Sequence, residues 1–230
     1  MRIGILGAGA MARALAWGWG QAGHEVMIGA RSQDSAAGLA GAIGRRTRAG
    51  SLLDAARFGN VMLLALPADA LVQVLPGMGD LLAGRTLIEC SRVDSDQTTV
   101  GSDYSVAERI SAELPKAHVV KAFNICPAEM YESRSRLFAG RRLAVPVCGD
   151  DPAAVRQVCT LVEDLKLLPI HTGPLREARY LDAVALFAER LWGEGEDVRA
   201  MFPPPPDTAS YGSGTADSRY RGIDRPCGAA

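Results

Sequence analysis

The stretch Met1–Ser32, MRIGILGAGAMARALAWGWGQAGHEVMIGARS, decides the fold of this chain. Its apolar run Arg2–Leu6 predicts a strand covered on both faces. A glycine-rich turn follows and opens a helix that continues to about Gln21. The run Glu25–Gly29 then predicts a second strand. Met1–Ser32 therefore indicates a β-α-β unit.

The turn of this unit has the pattern G-x-G-x-x-G/A, formed by Gly7, Gly9 and Ala12. Between a strand and a helix, this pattern is a dinucleotide-binding fingerprint. Gly7 permits the tight turn, Gly9 lets the backbone approach a pyrophosphate, and Ala12 lets helix and strand pack closely. The helix N-terminus offers free N–H groups to the phosphates. We expect the cofactor to lie on Gly7, Ala8, Gly9, Ala10 and Met11.

The end of the second strand indicates which dinucleotide binds. An NAD site usually has Asp or Glu about 20 residues after the glycines, to accept the ribose 2′-hydroxyl. This chain has Ala30, Arg31 and Ser32 there. A guanidinium pairs with a 2′-phosphate through its planar fork, and a hydroxyl can donate to it. The residues predict NADP rather than NAD, with a solvated charge at the strand end as the alternative for Arg31.

Composition limits the class of protein. The 230 residues are 48% hydrophobic and have a net charge of −1, which argues against a nucleic-acid partner. The five cysteines form no C-x-x-C pair, so we predict no metal site. The chain enters its first strand at residue 2, without a signal peptide, and contains no apolar run of about 18 residues. We expect a cytoplasmic protein that does not bind membranes.

Further strands and helices alternate along the chain. The run Asn60–Pro67 predicts a buried strand that ends at a proline, at the sheet edge where α/β proteins bind ligands. Leu66 and Pro67 are therefore candidates to lie along the cofactor, with a simple strand terminator as the alternative. A later strand, Leu143–Cys148, contains Pro146, which predicts an edge position.

These patterns predict an α/β fold, a doubly wound parallel Rossmann sheet with a small α/β C-terminal lobe. We expect residues 1–140 to form the NADP-binding domain and residues 141–200 the lobe. Residues 201–230 begin with a proline run and have almost no apolar pattern, so they predict a tail without a core.

Several segments together resemble the NADPH-dependent reductases of the deazaflavin coenzyme F-420. The resemblance extends over about residues 1–191. Its carriers are Gly7–Met11, Ile28–Arg31, Ala65–Pro67, Val119–Asn124, Val147–Asp151 and Thr172–Leu175. It implies a Rossmann domain with a small C-terminal lobe, commonly as a homodimer. It also implies NADP held by Ala8–Met11, by Arg31, and by the backbone near Leu66 and Ala128. Ser35 stands where a lysine would help to hold the 2′-phosphate.

The residues favour hydride exchange between two ring cofactors. Reduction of a carbonyl usually needs a positioned proton donor, and none of Tyr104, Tyr131 and Tyr180 belongs to a Tyr-x-x-x-Lys pair. The chain also lacks HExxH and GxSxG motifs. Two redox cofactors carry their own chemistry, so the protein mainly aligns them. The second cofactor is expected to be the deazaflavin coenzyme F-420 or a flavin.

Two residues are candidates for the reacting centre. Asn124 could hydrogen-bond one of the rings, with a helix cap as the alternative. His171 could assist a proton transfer, with a structural role as the alternative. A polar loop with Arg92, Asp94 and Asp96 could contact the acceptor or form a solvated charge cluster.

Two other functions stay open from the sequence. One is an NADPH-dependent reductase of a small imine, enamine or activated alkene. The other is a protein that binds NADP(H) and senses its redox state without turnover. The sequence does not determine the hydride acceptor or the direction of the reaction.

Overall fold

The computed structural model describes residues 1–44, 46–91, 104–133, 135–138 and 140–196. The strands are β1 (Arg2–Leu6), β2 (Glu25–Gly29), β3 (Thr47–Gly50), β4 (Val61–Leu64), β5 (Thr86–Glu89), β6 (His118–Ala122), β7 (Leu137–Phe138), β8 (Arg141–Arg142), β9 (Ala144–Gly149) and β10 (Leu168–Gly173). The α-helices are α1 (Ala10–Gln21), α2 (Gln33–Ile43), α3 (Leu52–Phe58), α4 (Ala68–Val74), α5 (Gly79–Leu82), α6 (Val106–Glu113), α7 (Ala128–Glu132), α8 (Pro152–Asp164) and α9 (Ala178–Gly193). Short 3₁₀ turns lie at Pro76–Met78 and Leu175–Glu177.

The central sheet has eight strands in the order β10-β9-β6-β5-β4-β1-β2-β3. The six neighbouring strands β3, β2, β1, β4, β5 and β6 pair in parallel. The order 3-2-1-4-5-6 within this part is that of a dinucleotide-binding Rossmann sheet. The predicted doubly wound α/β fold is therefore confirmed. The strand order reverses between β1 and β4. Open α/β sheets bind ligands in the crevice at the carboxyl ends of the strands beside such a reversal.

The C-terminal part of the described chain continues the same sheet. Strand β9 pairs antiparallel with β6, and β10 pairs parallel with β9. The segment that we expected to form a small lobe thus adds two strands to the Rossmann sheet. The boundaries at residues 140 and 200 stay predictions, and the predicted tail at 201–230 lies outside the described residues.

The edge position predicted from Pro146 is wrong, because β9 lies between β6 and β10. The proline is tolerated because β6 pairs with β9 only along Val147–Gly149. Pro146 lies just before this paired stretch, so its missing N–H removes no ladder bond to β6. On the other side it is in register with Ile170 of β10.

Helices cover both faces of the sheet. One core cluster packs α1, α2, α7 and α8 on one face, and includes Trp19, Phe123 and Tyr131. The other packs α3 to α6 and α9 on the opposite face, and includes Leu71 and Ile110. Strands such as β4 are buried along their whole length, which explains their continuous apolar sequence. In the described part of the chain, no helix has both the length and the apolar character needed to cross a membrane.

Local signals set the ends of several helices. Ser51 and Asp54 form a capping box at the start of α3. Asp151 caps α8, with Pro152 at its first position. The small β7–β8 hairpin has no pattern in the sequence that predicted it.

Candidate functional site

The crevice is built where the turn after β1 touches the chain after β4. Gly7 has a φ of +121°, which favours glycine. A Cβ on Gly7 would lie 2.2 Å from the carbonyl oxygen of Ala65. The Gly7 N–H donates to the Gly29 oxygen at 2.8 Å, which fixes the turn to the end of β2. Only a glycine fits this turn.

The second glycine meets a different environment. Gly9 is the N-cap of α1, and a Cβ added there would have no atom within 4 Å. No side chain caps α1, and its first turn contains no acid. The first N–H groups of α1 are therefore open to a ligand and carry a partial positive charge. This arrangement fits a pyrophosphate.

The residues around Gly9 differ in exposure as the fingerprint requires. Ala12 is completely buried, so it is the small residue that lets α1 pack on the sheet. Ala10 is exposed, whereas Ala8 and Met11 are half-buried.

The end of β2 brings together the residues predicted to hold the 2′-phosphate. Arg31 is exposed there, directly after the half-buried Ala30. Ser32 is the N-cap of α2 and accepts from the Ser35 N–H at 3.3 Å. The Ser35 hydroxyl donates to the Ser32 Oγ at 3.1 Å. A guanidinium, two hydroxyls and a helix N-terminus thus share one place, with Asp34 in the same helical turn as an opposing charge.

The chain after β4 lies on the other side of the glycine turn. Pro67 is exposed and is the N-cap of α4. A Leu66 side-chain carbon lies 3.4 Å from where a Gly7 Cβ would stand. Leu66 and Pro67 are therefore beside the crevice, and their contact with a cofactor stays a prediction.

Ala128 is the first residue of α7, and its side chain is buried. Helix α7 packs beside α1. The two helices are joined by an ion pair between Arg13 Nε and Glu132 Oε1 at 2.7 Å. Ala128 thus lies close to the helix at whose start we predict the phosphate site.

A buried ionic cluster at the ends of β5 and β6 was missed by the sequence analysis. Lys121 Nζ lies 2.6 Å from Glu89 Oε2 and 2.7 Å from Asp182 Oδ1. It also donates to the Ser91 carbonyl oxygen at 3.0 Å. Lys121 and Glu89 are completely buried, and Asp182 is 7% exposed. An ionisable residue inside an otherwise apolar strand is the signal that could have indicated this cluster.

The cluster shifts the acidity of its members. Burial by itself would lower the pKa of Lys121, but the carboxylates of Glu89 and Asp182 outweigh it and raise that pKa. Burial raises the pKa of Asp182 to about 6, against the opposing effect of the Lys121 ammonium. Burial also raises the pKa of the neighbouring Cys148 thiol to about 12.

Asn124 belongs to this cluster rather than to an open surface. Its Nδ2 donates to Asp182 Oδ1 at 3.2 Å, and the residue is completely buried. Phe123 before it has a φ of +65°, which turns the chain at the end of β6. The location favours a positioning role, and direct contact with a ring stays a prediction.

His171 lies on the edge strand β10, five strands from β1 and about 24 Å from it at the usual strand spacing. Its Nε2 is 3.1 Å from the Gly173 carbonyl oxygen. The structure does not bring this ring to the glycine turn, which favours the structural alternative. Its role in proton transfer stays a prediction.

Two further predictions concern the polar segment after β5 and metal binding. Arg92, Asp94 and Asp96 lie outside the described residues. Among the residues that the structure describes, no group of three or more His, Cys, Asp or Glu could hold a metal ion.

Two curated proteins are similar to most of this chain. The metalloreductase STEAP3 of Rattus norvegicus is 29% identical over 191 residues, which is 83% of this chain and 38% of that protein. A glycerol-3-phosphate dehydrogenase [NAD(P)+] of Roseobacter denitrificans is 26% identical over 196 residues, which is 80% of this chain and 55% of that protein. The chain thus spans about half or less of the length of these relatives.

Solved structures share the fold. A candidate F420-dependent NADP reductase from Arthrobacter sp. FB24 has a TM-score of 0.72 and 27% identity, over 84% of this chain and 93% of that chain. A hypothetical protein from Sinorhizobium meliloti has a TM-score of 0.68 and 27% identity, over 77% and 87% of the two chains. An imine reductase of Streptomyces aurantiacus has a TM-score of 0.62 and 18% identity, over 84% of this chain and 62% of that chain. This last likeness concerns the fold alone.

The two glycines of the turn give matched variants. We expect Gly7→Ala to lower the free energy of unfolding by roughly 2 kcal/mol or more, because alanine is strained at this φ and meets Ala65. Gly9→Ala should cost at most about 1 kcal/mol as a poorer N-cap. It should nevertheless weaken NADPH binding at least about tenfold, because its methyl group lies where the pyrophosphate approaches. Urea unfolding and calorimetric titration measure the two effects. Unchanged NADPH affinity in Gly9→Ala would contradict the site.

A family model covers the part of the chain that builds this crevice. Residues 2–92 match the model described as "NADP oxidoreductase coenzyme F420-dependent". The match extends from β1 to the end of β5, and so contains the glycine turn, Arg31 and the chain after β4. It confirms the resemblance predicted from the sequence. The chain therefore has the Rossmann-type fold of NADP oxidoreductases, and its residues 2–92 carry the sequence pattern of the coenzyme F420-dependent family.

Proposed function

We propose that the protein is an NADP(H)-dependent oxidoreductase that transfers hydride between NADP(H) and a second redox cofactor. The second cofactor is a deazaflavin such as coenzyme F-420, or a flavin. The observation that carries this proposal is the match of residues 2–92 to the F420-dependent family over the residues that form the crevice. The Arthrobacter structure supports the same reaction class through its fold and its 27% identity.

The chemistry of the crevice agrees with hydride exchange between two rings. Residues 7–12 after β1 and residues 65–68 after β4 include no ionisable side chain. The acids and the lysine nearest the strand ends, Glu89, Lys121 and Asp182, are paired with one another and buried. Such a site can align two rings, and the rings themselves supply the chemistry.

The charge and the hydroxyl groups where we expect the adenosine part of the nucleotide, at the end of β2, support NADP(H). Arg31 is exposed at the end of β2, where an acid would serve the 2′-hydroxyl of NAD. A guanidinium at this place can form charge-assisted hydrogen bonds with a 2′-phosphate. Ser32 and Ser35 stand beside it as hydroxyl donors.

An acceptor assay tests the proposed reaction. The protein is mixed with NADPH and either a deazaflavin, a flavin, or a panel of small imines and activated alkenes, and the nicotinamide absorbance is followed. We expect rapid oxidation with the deazaflavin or the flavin. Oxidation only with the organic acceptors would overturn the proposal in favour of a small-molecule reductase. Tight NADPH binding without any turnover would overturn it in favour of a sensing protein.

Replacement of Arg31 tests the choice of cofactor. Arg31→Ala should weaken NADPH binding by about 1.5–3 kcal/mol, roughly 10- to 150-fold in Kd, and leave NADH binding nearly unchanged. The control is Arg57→Ala, which removes the same charge from an exposed arginine in the last turn of α3. Equal weakening of both nucleotides in Arg31→Ala would show that the guanidinium does not bind a 2′-phosphate.

We also propose a homodimer, with helix α9 in its interface. One face of α9 is buried in the core through Leu181, Ala185 and Ala188. On another face, Tyr180, Val184 and Phe187 are 67%, 46% and 48% exposed at helical spacing. An apolar stripe of this kind on a solvent-facing helix is typical of an interaction surface.

Sedimentation of the purified protein tests the dimer. We expect the wild type to sediment as a dimer and Phe187→Asp to shift it towards the monomer, because a charge is costly in an apolar interface. Trp17→Asp, at an exposed position on α1, is the control and should leave the mass unchanged. A wild-type protein that is monomeric at high concentration would contradict the dimer.

A further inference from the structure

The buried cluster has one vacant acceptor on each of two neighbouring groups. Asn124 Nδ2 donates to Asp182 Oδ1 at 3.2 Å. The other oxygens of the same two groups, Asn124 Oδ1 and Asp182 Oδ2, have no hydrogen-bond partner. Both oxygens are buried, with almost no surface that a water molecule could reach. A buried oxygen without a donor is costly, and here two of them belong to one bonded pair.

The other members of the cluster have no vacancy. Lys121 uses its three protons on Glu89 Oε2, on Asp182 Oδ1 and on the Ser91 carbonyl. Glu89 Oε1 accepts from the N–H and the hydroxyl of Ser91. Every oxygen of Glu89 therefore already has a donor. Among the described members of this cluster, the oxygens that can still take part in a hydrogen bond are Asp182 Oδ2 and Asn124 Oδ1.

The net charge of the cluster also indicates a proton on Asp182. Glu89 and Asp182 supply two carboxylates against the single ammonium of Lys121. With both carboxylates ionised, a buried site would hold one uncompensated negative charge, which is energetically costly. A proton on Asp182 leaves a neutral set, the Lys121–Glu89 ion pair and an uncharged acid.

We propose that at mildly acidic pH Asp182 carries a proton on Oδ2 and forms a two-point pair with the Asn124 amide, a carboxylic acid facing a carboxamide. The amide N–H donates to Asp182 Oδ1, and the acid O–H donates to Asn124 Oδ1. One proton satisfies both vacant oxygens. The reversed amide would direct an oxygen at Asp182 Oδ1, which already accepts from Lys121, so the observed orientation is the one that fits.

This pair links α9 to the end of β6, and its contribution to stability depends on pH. The ionisable groups that face Asp182 are Glu89 from β5 and Lys121 from β6, and the Cys148 thiol of β9 lies in the same electrostatic surroundings. Glu177, in the turn before α9, also acts on Cys148. Glu108 of α6 is paired with Arg179 of α9, so it adds no net charge.

The sign of the pH effect follows from the shift. The pKa of Asp182 is raised by burial from 3.8 to about 6, so the folded state holds the proton more tightly than the unfolded state. The stabilisation by this proton is complete below pH 3.8 and is lost as the pH rises through about 6. Over this window one proton changes the folding equilibrium constant roughly 100-fold.

The carboxylates of Asp54, Glu108 and Asp151 have lowered pKa values and act in the opposite sense. Their contribution is the same in the wild type and in a variant of Asp182. The difference between the two proteins therefore isolates the Asp182 proton.

The first test compares Asp182→Asn with Asp182→Leu by urea unfolding of the ligand-free protein between pH 4 and pH 8. Asp182→Asn presents an N–H in place of the acid O–H, so it should fold at all pH values and lack the roughly 100-fold change. Asp182→Leu leaves the amide unpaired and should be destabilised throughout. An Asp182→Asn protein with the pH dependence of the wild type would overturn the proposal.

The second test uses the wild type alone and does not depend on whether a variant folds. Carboxyl ¹³C labels are placed in aspartate only, and their chemical shifts are followed by NMR through the same pH range. We expect one buried aspartate to titrate near pH 6 and to give the shift of a protonated acid below it. The absence of such an aspartate would overturn the proposal. Neither test involves NADPH or an acceptor, so their outcome is independent of the proposed reaction.

Discussion

The close contact between Gly7 and Ala65 is the constraint on which the crevice depends. The turn after β1 passes so near the chain after β4 that a Cβ on Gly7 would lie 2.2 Å from a carbonyl oxygen. This contact brings the start of α1 to the place where the strand order reverses. The N–H groups of α1, the residues after β4 and Arg31 after β2 thereby lie around one opening. The relative positions of the glycine turn and the chain after β4 follow from that approach.

Farther along the sheet, the ends of β5 and β6 are held by charge rather than by close backbone packing. Lys121 connects β6 with Glu89 of β5 and with Asp182 of α9. Removal of Lys121 or Glu89 from this set should be strongly destabilising, because a buried charge would remain uncompensated. The cluster also holds Asn124 at the start of the segment that leads to Ala128 and α7. A buried polar cluster thus joins β5, β6 and α9 near the apolar residues that border the crevice.

The local part of this arrangement could be predicted from the sequence. The first strand, helix and second strand were expected almost at their observed limits, because glycine pattern and hydrophobic periodicity agree there. The caps Ser51 and Asp151 likewise follow local sequence rules, since a cap depends on residues within one turn.

What depends on distant residues could not be predicted. Asp182 meets Asn124 across 58 positions, so no local pattern indicates their contact. The turn at Phe123 and the carboxylate of Asp182 hold Asn124 in the interior, and no local pattern indicates this burial. The strand with Pro146 was expected at an edge, because the short pairing of β6 with β9 that makes the proline tolerable is a tertiary feature.

A crystal structure with NADP⁺ bound is the most direct test of the proposed cofactor site. The pyrophosphate should lie on the N–H groups at the start of α1, next to Gly9, and the 2′-phosphate should contact Arg31 and the hydroxyls of Ser32 or Ser35. A nucleotide bound away from the β1–β4 crevice, or a 2′-phosphate directed away from Arg31, would contradict the site described above.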